Sequence, residues 1–103
     1  MLKLTFYVPA ELKEVVKNAL FDAGAGKIGN YDRCSFEMIG TGQFRALEGA
    51  NPTIGKLGDI EKISEARVEM VMEDHILIDV IKALKRSHPY ETPAYDVVKC
   101  MEV

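Results

Sequence analysis

The sequence predicts an α+β fold, a ferredoxin-like βαββαβ sandwich in which two helices cover one face of an antiparallel sheet. Two observations predict it. Short stretches of alternating apolar and polar residues recur along the chain, and two longer stretches carry apolar residues at helical spacing. Their order fits one domain of 103 residues, a length that buries roughly two thirds of the surface its unfolded chain exposes.

The elements follow in order. "LKLTFYV" sets Leu2, Leu4, Phe6 and Val8 against Lys3, Thr5 and Tyr7, the period of a half-buried strand. After Pro9, Leu12, Val15, Val16, Ala19, Leu20 and Ala23 form a helical stripe, and Gly24 stands where a left-handed cap ends a helix. "RCSFEMIGT" sends Cys34, Phe36 and Met38 one way and Ser35, Glu37 and Ile39 the other, and "ARVEMVM" alternates in the same manner. Asp74 is placed to cap a second helix with the stripe Leu77, Val80, Ile81 and Leu84, basic residues near its end and Pro89 to stop it. "AYDVVKCMEV" supplies the last strand.

Two helices leave one sheet face bare. It is expected to hold Tyr7, Ile39, Val71, Val97 and Met101 among Lys3, Glu37, Arg67 and Lys99, too apolar for a solvated surface, so a homo-oligomer is expected. Residues 41–58, "TGQFRALEGANPTIGKLG", read as a long loop between the second and third strands, far beyond the needs of a hairpin. A protein partner could be met through it.

Composition narrows the function classes. With 48% hydrophobic and 28% charged residues and a net charge of -3, the chain has no general attraction to polyanions, so nucleic acid is not expected. No stretch reaches the roughly 18 apolar residues of a membrane span, and no signal peptide is read, so a cytoplasmic protein without a membrane is expected. Cys34 and Cys100 lack CxxC spacing and read as small buried hydrophobes.

"GAGKIGNYDRCSF" looks like half of a phosphate loop, but Gly24, Gly26 and Gly29 follow a helix instead of opening one, and no Ser or Thr succeeds Lys27. A glycine turn that ends a helix is the expectation. An anionic ligand, if there is one, would be met by Lys27, Arg33, Arg45 and Lys56 with backbone amides of the glycine turns. "SHPYETPAYD" groups His88, Tyr90, Glu91, Tyr95 and Asp96, with Pro89 and Pro93 fixing extended backbone. His88 and Glu91 are the candidate metal ligands, against a role in turning the chain and sealing a subunit contact. His75 reads as a surface residue, and no nucleophile or acid-base motif is evident, so an enzyme is not expected.

"GAGKIGNYDRCSFEMIGTGQFRALEGANPTIGKLG" together with "HPYETPAYDV" resembles the PII-like insert domain of the YqfO family, the NIF-three-like dinuclear-metal-centre proteins. The resemblance covers essentially the whole chain, with departures at Ala46 and Thr92. His88-Pro89-Tyr90-Glu91 is also similar to a stretch of CutA proteins, which share this fold with PII signalling proteins and usually form trimers.

The resemblance implies a stand-alone PII/CutA-like domain over residues 1–103, without the metal-binding halves that flank the insert in full-length relatives. The resemblance then implies a regulatory or ligand-sensing module, and the family's hydrolase-like activity is not carried over. The cofactor stays open between a nucleotide and a divalent metal, and the alternatives are a metal-binding CutA-like protein and a structural oligomerisation module.

Overall fold

A computed structural model describes residues 1–103. Its elements are β1 (Leu2–Pro9), α1 (Lys13–Asp22), β2 (Phe36–Arg45), β3 (Ile60–Met72), α2 (Leu77–Ser87) and β4 (Tyr95–Lys99), with a single 3-10 turn before each helix. The strands form one sheet in the order β2-β3-β1-β4 with every neighbour antiparallel. This is the expected βαββαβ sandwich.

The core lies between the helices and the alternate residues of β1 and β3. Leu2, Leu4, Phe6 and Val8 face Met72, Met70, Val68 and Ala66 across the β1–β3 ladder, and all are buried with Val16 and Leu20 of α1 and Val80, Ala83 and Leu84 of α2. Each fully buried Phe6, Leu4 or Leu20 side chain contributes about 1.5–3 kcal/mol. In α1 the stripe is narrower than expected, because Val15 is 60% exposed. Asp74 does not cap α2 with its side chain; its carboxylate pairs instead with the N-terminal ammonium and Lys99.

The glycine turn ends α1 as a Schellman motif. Ala25 N–H donates to Leu20 O at 3.1 Å and Gly24 N–H to Phe21 O at 3.0 Å, with Gly24 at φ +108°. Gly26 then ties the turn to the sheet by donating to Val71 O at 2.7 Å.

Residues 41–58 are not a loop throughout. The β2–β3 ladder runs from Phe36↔Glu69 to Arg45↔Ile60, whereas β1 reaches β3 only as far as Glu65. Residues 41–45 and 60–64 therefore pair only with each other, a two-stranded arm about 17 Å long that projects past the helices. Loop residues are confined to 46–59. Thr41, Gln43 and Arg45 alternate with Gly42 and Phe44, so a single apolar side chain is all that marks this strand in a reading based on apolar period.

The bare face has a different membership from the one expected. Lys3, Tyr7, Arg67 and Val71 lie on it, but Glu37 and Ile39 pair with core-facing Val68 and Ala66, and Val97 and Lys99 pair with Leu4 and Leu2, which puts all four on the helix side. Phe36, Met38 and Val98 take their places, each more than half exposed. Met101 lies beyond β4. A slip of one residue exchanges the two faces of a strand, and at the edges both faces of β2 and β4 are apolar enough to be confused. The side of β2 is set by Glu37, which reaches Lys13 and Lys17 on α1.

Candidate ligand-binding site

At the base of the arm, a cavity of about 280 Å³ opens between the bare sheet face, the arm loop and the segment that follows α2. Tyr7, Phe44 and Glu65 form its floor, Pro52, Thr53 and Ile54 one wall, and Tyr90 and Glu91 the other. Two hydrogen bonds clasp the walls together: Thr53 Oγ1 donates to Pro89 O at 2.8 Å and Asn51 N–H to Glu91 Oε2 at 3.2 Å. Phe44 and Tyr90 meet edge to face with ring centroids 5.9 Å apart.

His88 builds this wall. Pro89 ends α2 and holds His88 extended at φ −75°, ψ 137°, which turns the imidazole onto the sheet. Tyr90 N–H donates to its Nδ1 at 3.1 Å, so the other nitrogen carries the proton and Nε2–H donates to Tyr7 O at 2.6 Å. Burial pushes the imidazole pKa down, partly offset by the bond to Tyr7. His88 thus spends both ring nitrogens on backbone, and Glu91 one oxygen on Asn51. The two expected metal ligands share no bond, and no cluster of three or more His, Cys, Asp or Glu side chains stands ready for a metal.

Glu65 and Tyr90 supply the polar chemistry of the cavity. The Tyr90 hydroxyl is buried beside the Glu65 carboxylate, which is near enough to interact with it but not aligned as a full hydrogen bond. Burial, reinforced by the Glu65 carboxylate nearby, pushes its pKa up to about 12. Burial also raises the pKa of Glu65, against a smaller opposing effect of Tyr90. A Cβ added at Gly42 would fall 1.5 Å from Glu65 Oε1, so the bare backbone of β2 is the bed on which this carboxylate lies.

The four expected anion ligands are not brought together within one chain. Arg33, at φ +54°, is engaged by Asp22 at 3.0 Å and Asn18 at 3.4 Å and stands over the Phe21 ring. Lys27 is exposed beside the turn tied to Val71, whereas Arg45 pairs with Ile60 and Lys56 sits in the arm loop. Residues 60 and 71 are about 36 Å apart along β3 at the rise of a strand. The sequence singles out Tyr90 but places Gly42 in a long loop and gives no sign of Thr53 or Glu65, whose roles depend on the arm register. Cys34 and Cys100 are unpaired and partly exposed, and His75 is exposed.

No helix is long and apolar enough to cross a membrane, and no family model matches the chain. Proteins named GTP cyclohydrolase 1 type 2 homolog from Mycobacterium tuberculosis and Bacillus subtilis are each 47% identical to it over 95 residues, 92% of this chain. The chain spans about a quarter of the length of these relatives, 25% and 26%. A Bacillus cereus protein related to NIF3 superposes with a TM-score of 0.79 at 43% identity, over 93% of this chain and 24% of that one. CutA1 from Pyrococcus horikoshii superposes over the whole chain and 86% of its own with a TM-score of 0.69, and its 17% identity shows the fold alone. The chain is thus similar to one segment, about a quarter of the length, of these NIF3-related relatives, and its fold is PII/CutA-like.

Proposed function

We propose that the chain is a ligand-sensing regulatory module of the PII/CutA-like kind and not an enzyme, assembling as a homo-trimer in the cytoplasm. The observation that carries the reading is the buried Tyr90 hydroxyl, with only the Glu65 carboxylate beside it, at a cavity closed by the arm loop. A hydroxyl and a carboxylate that have only each other, in imperfect alignment, keep lone pairs unsatisfied, and a donor ligand placed between them completes their hydrogen bonding. The same ligand would touch Thr53 and Ile54 of the arm loop, so occupancy has a direct route to the arm, the element free to meet a partner. The activity named for the longer relatives is not part of this reading. Exposed Phe36, Met38 and Val98 support self-association through the bare face, and unpaired thiols suit a reducing compartment.

A thermal-shift panel of the purified chain against nucleotides, divalent metals and small amines tests the sensing role. A ligand at about 100 times its Kd adds about 2.7 kcal/mol, several degrees for a domain of this size. Stabilisation by one class that is lost in Tyr90→Phe supports the reading. Silence across the panel leaves oligomerisation through the bare face as the function.

A further inference from the structure

We propose that the cavity takes a small organic cation, an ammonium or amidinium group held between Glu65 and Tyr90 with a compact apolar body against Phe44, Pro52 and Ile54. The inference rests on the cavity being the ligand site and names the class of ligand. Charge is the first argument. The cavity is lined by two carboxylates, Glu65 and Glu91, and by no lysine or arginine, so an anion would enter against like charge with nothing to oppose it.

Glu65 is also the acid left over on this face. Lys3 and Arg67, its cationic neighbours on the bare side, both pair with Glu69, at 3.3 and 3.1 Å. No cation of the chain lies within ion-pairing distance of Glu65 in the way that Lys3 and Arg67 flank Glu69. Gly42 keeps the carboxylate lying on the sheet, where a side chain at that position would displace it. A partly buried carboxylate without a counter-charge is costly, and a ligand cation supplies what the chain does not.

The remaining groups fit the same class. An ammonium or amidinium is a pure donor, and both the Glu65 carboxylate and the Tyr90 oxygen, whose lone pairs stay free while its O–H faces Glu65, can accept from it. The rings of Tyr7, Phe44 and Tyr90 border the cavity, and aromatic faces attract cations. At about 280 Å³ the space is at the small end of ligand pockets, which suits a compound of one ring or a short branched chain.

Isothermal titration of the 103-residue chain with benzamidine, benzamide and benzoate tests the proposal, since the three share one shape and differ in charge. Benzamidine is expected to bind at least 10-fold more tightly than benzamide, and benzoate more weakly still. Glu65→Gln is expected to erase that preference while leaving benzamide unchanged, and Gly42→Ala, which displaces the carboxylate without removing it, to act in the same direction. Equal binding of all three, preference for benzoate, or benzamidine affinity indifferent to Glu65→Gln would each overturn the cation assignment. If another class in the thermal-shift panel then stabilises the wild type and not Tyr90→Phe, the sensing reading stands without it; if none does, both fall.

Discussion

The imidazole of His88 joins the end of α2 to the first strand, with Nε2 2.6 Å from the carbonyl oxygen of Tyr7 and Nδ1 accepting from Tyr90 N–H. The contact spans 81 residues of sequence and sets where Tyr90 stands over the sheet. His88→Ala leaves two backbone groups without partners and opens a cavity, so a loss of about 2–4 kcal/mol is expected in urea unfolding. The imidazole pKa is depressed in the folded state, so the unfolded chain takes up the proton first as pH falls below 6.5. Stability conferred by the neutral ring is therefore full above pH 6.5 and declines below it, and a His88→Gln variant should lack that component of the decline.

Glu65 has the opposite sign. Its folded pKa lies above 4.5, so the folded protein prefers the protonated acid, and the penalty of the charged form is present at neutral pH and relieved as pH falls through the raised value. Glu65→Gln should melt above the wild type at pH 7 in the absence of ligand, with the difference narrowing towards pH 4.5. A lower melting temperature at pH 7 would mean that the interaction with Tyr90 outweighs the cost of burying the carboxylate.

Gly24 closes the Schellman turn at φ +108°, where an L side chain is strained. Gly24→Ala should cost about 1 kcal/mol in chemical denaturation, and Gly24→Asn less than Gly24→Val.

The bare face makes the oligomer testable. Light scattering should give about three times the 11.5 kDa chain mass, and Met38→Asp combined with Phe36→Asp, both on exposed positions of β2, should give monomer with native circular dichroism. A wild-type monomer would remove the trimer from the account.

Much of the fold was legible in the sequence because its signals are local. The stripe of α2, the alternation of β1 and the glycine end of α1 each rest on a few neighbouring residues, and the structure has them where the periods place them. The arm was not legible, because residues 41–45 pair outside the core and show no apolar alternation. Faces of β2 and β4 were assigned the wrong way round for a related reason: at sheet edges apolar residues point both ways, and only contacts such as Glu37 with Lys13 and Lys17 fix the side. The cavity depends on both features. Glu65, one of several acids in β3, is distinguished by its position opposite Gly40 and over Gly42, which no spacing reveals.

Amide ¹H–¹⁵N shift mapping tests the central claim most directly, with separate titrations of benzamidine, an adenine nucleotide and a divalent metal. The account predicts that a binding compound moves the amides of Phe44, Thr53, Ile54 and Tyr90 around the cavity and leaves those of Lys27 and Arg33 in place. Shifts gathered at Lys27 and Arg33, or no shift at the cavity from any of the three, would contradict it.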